Sequence, residues 1–209
     1  MKSRWQKGIR LFLFATIFAL LFRFLVLEDF RVASDSMVPT LLPGDLVFVS
    51  KSAFQLRLPF SSYAIASFRA PKRGSVVAFS LPESQWETYT KRVVATEGDT
   101  VAIQQGVLLV NDIPAEYLAQ NSVSGVVTEK TVWASYPILR QSDKVKDYGP
   151  VTIPQGHFFA LGDNRTDSID SRVWGPIPYR CLKGSVFMVW LSLDPHGLLR
   201  SRRFGLWVR

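Results

Sequence analysis

The sequence predicts a mainly β fold, an antiparallel-sheet domain preceded by one N-terminal transmembrane helix, on three observations. Leu11 to Leu27 is almost wholly apolar. After residue 28 helical periodicity fades into short runs rich in Val, Phe and Ile, separated by Gly, Pro, Asn and Asp. The connections between those runs are short, which favours antiparallel pairing.

Only Arg23 interrupts Leu11 to Leu27. About 17 residues of helix at ~1.5 Å each reach ~26 Å, slightly less than a hydrocarbon core, and Arg23 with the flanking residues can snorkel to the head groups. Glu28-Asp29-Phe30-Arg31 follows where a cleavable signal peptide would carry small residues, so the segment reads as an uncleaved anchor. A buried soluble helix would show a polar face, and residues 11 to 22 show almost none. Lys2, Arg4, Lys7 and Arg10 precede the span, which places the N-terminus in the cytoplasm and everything after residue 28 on the outer face of the membrane.

The 209 residues are 47% hydrophobic, enough for a packed core, and carry a formal charge of +8. Four of those charges are the basic residues just named and four are Arg200, Arg202, Arg203 and Arg209, which leaves 17 basic against 17 acidic residues elsewhere. A neutral body argues against nucleic acid, which calls for a basic face on the folded domain. Cys181 stands alone, so an intrachain disulfide and a cysteine metal cluster are both excluded, and it reads as a small buried hydrophobe. The C-terminal stretch Gly197 to Trp207 mixes cations with apolar and aromatic side chains, as a solvated tail or a lipid contact would.

Strands are expected at Leu46 to Ser50, Ser75 to Ser80, Thr90 to Thr96, Thr100 to Gln104, Val107 to Val110, Gly125 to Ala134, Gly156 to Leu161 and Gly184 to Leu191, with a hairpin turn at Gln105-Gly106. Residues 51 to 70 lack a period and read as an irregular surface loop. The organisation is an anchor over residues 1–28 and a β domain over 29–209, with an insertion at about 101–150 outside the main sheet.

Chemistry gathers in three places. Ser34-Asp35-Ser36-Met37-Val38-Pro39-Thr40-Leu41 follows the anchor, and Pro39 is expected to keep it extended so that a serine can present its hydroxyl. A serine needs a base, and neither His157 nor His196 has a motif-like setting. Lys91, within Tyr89-Thr90-Lys91-Arg92-Val93-Val94, could serve if burial removed its proton, although a lone strand lysine also fits a solvated edge. Gly162-Asp163-Asn164-Arg165-Thr166-Asp167-Ser168-Ile169-Asp170-Ser171-Arg172 would by itself suit a polar turn.

Taken in order, the first segment with Pro43-Gly44-Asp45, then Lys91-Arg92-Val93-Val94 with Gly98-Asp99, and then Gly162 to Arg172 resemble the signature boxes of bacterial type I signal peptidases, over most of residues 30 to 191. That resemblance implies a serine-lysine dyad peptidase with Ser36 as nucleophile and Lys91 as general base. It implies further that Ser168 hydrogen-bonds the lysine nitrogen, that Asp170 and Arg172 shape the loop holding Ser168, and that Ser34 joins the Ser36 amide in the oxyanion hole. Phe30, Val32, Met37 and Tyr89 match substrate-pocket positions. The implied partners are signal-peptide-bearing preproteins and membrane lipid, with no cofactor, no metal and a monomeric chain.

Asp35 stands where the family often has glycine, and would raise the lysine pKa if it pointed inward. Thr90, Ala95 and Glu97 also depart from the pattern. Alternatives left by the sequence are a maturation peptidase of the same family serving a conjugation or secretion system, and a non-catalytic membrane-anchored peptide-binding β domain.

Overall fold

A computed structural model describes residues 2–57, 64–67, 69–121, 125–140 and 145–208. Helix α1 (Lys2–Val26) runs directly into β1 (Leu27–Arg31). The expected span lies within α1 except for Leu27, which opens the strand. Side chains of 17–25 lie outside those described, and among the described residues no helix is long and apolar enough to cross a membrane. Leu11, Phe12, Leu13 and Phe14 are each more than half exposed.

Next comes β2 (Asp45–Ser50), and then, where an irregular loop was expected, a 3₁₀ turn (Lys51–Ala53) and a short hairpin of β3 (Gln55–Arg57) and β4 (Ala64–Ser67). Three- and four-residue strands are too short to show a period. Residues 58–63 and 68 lie outside the described residues. The chain continues through β5 (Val76–Leu81), β6 (Ser84–Thr96), β7 (Thr100–Gln104), β8 (Val107–Val110) and β9 (Ile113–Pro114). Gln105 and Gly106 both have positive φ, 50° and 73°, and so close the expected two-residue hairpin in the form that matches strand twist. Then follow β10 (Glu116–Asn121), β11 (Val126–Lys130), β12 (Ser135–Leu139), β13 (Tyr148–Thr152) and β14 (His157–Leu161). The expected single strand Gly125 to Ala134 is cut at Lys130, because the Thr131 hydroxyl accepts the amides of Trp133 and Ala134 and turns the chain. A one-turn helix α2 (Ser171–Trp174), β15 (Ile177–Pro178), β16 (Leu182–Ser192) and β17 (Leu206–Trp207) complete the order.

The strands pair antiparallel with one another, in a main sheet ordered β1-β2-β16-β5-β6-β14-β15 with β17 on β16, and one isolated parallel bridge joins Leu139 to Asn164. Residues 100–152 contribute two further sheets, β13-β7-β8-β9 and β10-β11-β12. Alternating side chains bury both faces of the main sheet. On β5, Val77 and Phe79 enter one apolar cluster and Val76 and Ala78 another. On β14, Phe158 and Ala160 face the first of these, while Phe159 and Leu161 pack with Val101, Ile103 and Leu108 of the β7–β8 hairpin.

The C-terminal stretch is not a free tail, although Phe204, Leu206 and Trp207 remain exposed. It folds back so that Trp207 pairs with Met188, Leu206 with Val189, and Val208 packs on the cluster under β2 and β16.

Candidate active site

Three pieces of chain meet around Ser36. The first is the loop from Val32 to Gly44 between β1 and β2. Ser36 lies in the middle of one 3₁₀ turn (Asp35–Met37), not in an extended segment as expected. The proline constraint acts on Val38, which is extended at φ −60° and ψ 134°, and does not reach two residues back. Ser34, also extended, makes no side-chain capping bond, and its hydroxyl lies 3.1 Å from Ser36 Oγ.

The second piece is β6 itself, which carries Lys91. Its Nζ donates to Ser36 Oγ at 2.6 Å across 55 residues of sequence. Lys91 is only 4% exposed, and burial pushes its amine from the usual lysine range down to about 8, even though the carboxylates of Asp170 and Asp163 favour the charged form. The Asp35 side chain is exposed, and the charges that act on Lys91 are those of Asp170, Asp163 and Arg172.

Third comes the loop after β14, which is adjacent to β6 in register Leu161 to Arg92. Asn164 N donates to Ser36 O at 3.0 Å, and its side-chain amide to Asp35 O at 3.3 Å, so this loop holds the main chain of the 3₁₀ turn. Arg92 makes two bonds of 2.7 Å to Asp163, with both side chains fully buried. Asp170 accepts Arg172 Nε and Nη2 at 2.8 Å and the Gly162 amide at 3.0 Å. Burial alone would raise its pKa, but the Arg172 bonds outweigh that and hold the carboxyl below its ordinary range. Arg172 Nη2 also reaches Ser168 O at 3.2 Å, which ties the ion pair to the backbone of Ser168.

Ser168 differs from expectation. Its Oγ is buried without a hydrogen-bond partner, so the bond to Lys91 implied by the resemblance is not made. The hydroxyl sits against Gly162, where a Cβ would lie 2.2 Å from Ser168 Oγ and 2.5 Å from Ser36 O.

Of the four expected pocket residues, Phe30, Val32 and Met37 share one apolar cluster, whereas Tyr89 packs on Phe79 and Trp174 in another. Met37 is fully buried and presents no surface to a ligand. The 3₁₀ turn aims it inward, opposite to the exposed Asp35 and half-exposed Ser36. Val32 is nearly buried but borders a cavity of about 360 Å³ with Pro43, Gly44 and Pro195.

Sequence reasoning missed Glu129, on β11. It is fully buried and accepts both guanidinium nitrogens of Arg165 at 2.6 Å and the hydroxyls of Tyr117 and Tyr136 at 3.0 and 2.8 Å. Burial, reinforced by the Glu129 charge, pushes the Tyr117 hydroxyl up to about 12, so it remains a donor. The Tyr136 ring lies under Arg92 at 4.1 Å, which joins this cluster to the Arg92–Asp163 pair. No alternation marked it in advance, because β11 reads Val126-Val127-Thr128-Glu129-Lys130 and only Glu129 within it is fully buried. Among the described residues no group of His, Cys, Asp and Glu could hold a metal ion.

A hydroxyl hydrogen-bonded to a buried amine that can be neutral near neutral pH is an arrangement suited to nucleophilic catalysis without a histidine. The chain as a whole is similar to known peptidases. Signal peptidase I of Pseudomonas aeruginosa is 36% identical over 83% of this chain and 68% of that protein. Signal peptidase I of Buchnera aphidicola is 28% identical over 85% of this chain and 74% of its own length. Thylakoidal processing peptidase 1, chloroplastic, of Arabidopsis thaliana is 36% identical over 84% of this chain and 46% of that one. The family model described as signal peptidase, peptidase S26, matches residues 5–191, and the chain belongs to that family of serine peptidases.

Proposed function

We propose that this protein is a membrane-anchored serine endopeptidase that removes N-terminal signal peptides from exported preproteins with a Ser36–Lys91 dyad. The observation that carries the reading is the 2.6 Å contact between Lys91 Nζ and Ser36 Oγ, with the amine depressed to about 8.

In the neutral state Lys91 takes the Ser36 proton as Oγ attacks the scissile carbonyl, forming the C–O bond and a tetrahedral oxyanion. The Ser36 amide and the Ser34 hydroxyl are the donors for that oxyanion, each worth about 3 to 4 kcal/mol when preorganised. Lys91, now charged, protonates the amine as the C–N bond breaks. Water then attacks the acyl-enzyme while Lys91 takes a proton again, and Ser36 is regenerated when the ester bond breaks. Ser168 Oγ, buried and without a partner, is the hydroxyl available to hydrogen-bond and orient the lysine during the reaction. No metal or cofactor enters these steps.

The substrate is an extended peptide recognised by strand addition, for which β1 is available as an edge strand of the main sheet. Small P1 and P3 side chains are selected by shallow apolar surface around Phe30 and Val32. Anchoring rests on the apolar sequence of Leu11 to Leu27, the exposed apolar side chains of α1, and the basic residues preceding the span. Together these features support a cytoplasmic N-terminus with the β domain on the outer face beside lipid.

The test is cleavage of a purified preprotein. Ser36→Ala and Lys91→Ala should each lower kcat/KM by at least about 10³-fold while near-UV circular dichroism stays native; full activity in either variant removes the dyad.

A further inference from the structure

The basic C-terminal segment is bound to the loop that carries Ser36. Arg203 Nε and Nη2 donate to Asp45 Oδ1 and Oδ2 at 3.0 and 2.5 Å, and Nη2 donates to Thr40 O at 2.9 Å. Arg200 Nη1 donates to Pro43 O at 2.9 Å. Asp45 is fully buried, and its Oδ2 also accepts the Leu42 amide at 2.8 Å. Gly44 packs so tightly on the chain just after β16, which leads into this segment, that a Cβ would lie 1.9 Å from Leu193 O. The arginines are themselves held by the β16–β17 pairing and by a 3₁₀ turn (Ser201–Arg203).

On its inner side the same loop is pinned to the dyad. Met37 and Leu41 are fully buried, and the Leu41 amide closes on Met37 O at 2.9 Å. Thr40 Oγ1 accepts from Arg92 Nη2 at 3.2 Å, next in sequence to Lys91. Arg203 and Arg92 therefore grip the two sides of Thr40, one at its carbonyl and the other at its hydroxyl.

We infer that Arg203 is a positioning residue for the reaction: by bridging Asp45 and Thr40 it holds residues 37–45 in the conformation that keeps Ser36 Oγ within hydrogen-bond reach of Lys91. The inference rests on the Ser36–Lys91 reading. Lysine at 203 would supply the charge but not the planar fork that spans a carboxylate and a carbonyl together.

The test compares the full chain with its Arg203→Gln and Arg203→Lys variants on one preprotein. Arg203→Gln should lower kcat by about tenfold or more with KM within about twofold, and Arg203→Lys should recover part of the loss. Amide hydrogen exchange should quicken at Leu41 and Leu42 but stay unchanged at Ala160 and Gly162, which are held by Ser171 and Asp170. An unchanged kcat overturns the inference, as does faster exchange throughout the main sheet, which would mark a purely structural role. Should Arg203→Gln fail to fold, Arg200→Gln is read by the same two measurements, and local loosening at Leu41 and Leu42 without loss of kcat overturns the inference. If instead Ser36→Ala retains cleavage, the dyad reading fails, while exchange at Leu41 and Leu42 still reports whether Arg203 holds the loop.

Discussion

Glu129 and Arg165 join two sheets through paired hydrogen bonds of 2.6 Å, one partner on β11 of the outer three-stranded sheet and the other in the loop after β14. Both side chains are almost wholly buried, and Arg165 Nε also donates to Gly162 O at 3.0 Å. The Leu139 amide bonds Asp163 O and the Arg165 amide bonds Leu139 O, both at 2.8 Å, so β12 continues into the same loop. The outer sheet thus buttresses the backbone around Asp163, Asn164 and Ser168.

Glu129→Gln should therefore destabilise the fold by about 3 to 5 kcal/mol, because it leaves a buried guanidinium without its countercharge. The double variant Glu129→Leu with Arg165→Leu should lose less than Glu129→Gln alone, since an apolar pair removes the unpaired charge. Urea unfolding midpoints measure both, and equal losses in the two proteins would refute the buttress energetics.

The pH profile should follow Lys91. Only the neutral amine accepts the Ser36 proton, so kcat/KM should rise with pH through about 8 and then level off. Stability has a linked dependence. From about 8 to 10.5 the native lysine is neutral while the unfolded one keeps its proton, so stability increases with pH in that window. Below it both forms are charged, and burial of the ammonium costs about 3 kcal/mol. Lys91→Met should accordingly be inactive yet about 1 to 3 kcal/mol more stable at pH 7, with the gain shrinking toward pH 10.5. A parallel pH dependence of stability in the two proteins would contradict the linkage.

Gly162→Ala should damage the site more than the fold. The added Cβ meets Ser168 Oγ and the Ser36 carbonyl well inside van der Waals distance. Overpacking of this kind costs about 1 to 3 kcal/mol, whereas a shift near 1 Å at a reacting atom costs about 10²-fold in rate. Steady-state kinetics beside thermal unfolding separate the two, and a variant with native kcat/KM would show that the contact is not limiting.

Asp35→Asn should leave the pH–rate midpoint where it is. The side chain is exposed, and the contact from Asn164 goes to the Asp35 main-chain carbonyl, which the substitution keeps. Movement of the midpoint would mean that the carboxylate reaches Lys91 in solution.

Much of this was legible before any coordinates. The apolar run Leu46 to Ser50 after Pro43-Gly44-Asp45 and the turn residues Gln105 and Gly106 specify a strand and a hairpin locally, because β propensity and backbone permissiveness are properties of neighbouring residues. The ordered boxes likewise nominated Ser36, Lys91, Ser34, Ser168, Asp170 and Arg172. By itself, then, the sequence determined the antiparallel β class and the candidate reacting groups. Tertiary structure alone decided that Ser36 sits in a 3₁₀ turn with Asp35 outward, that Met37 is core, that Ser168 Oγ stands without a partner, and that Glu129 and Arg203 face Arg165 and Asp45 across 36 and 158 residues of sequence. Which ions pair in a buried interior depends on how sheets stack and where a C-terminal segment docks. Burial penalises a charge left without a partner, but it does not say in advance where along the chain that partner will be found.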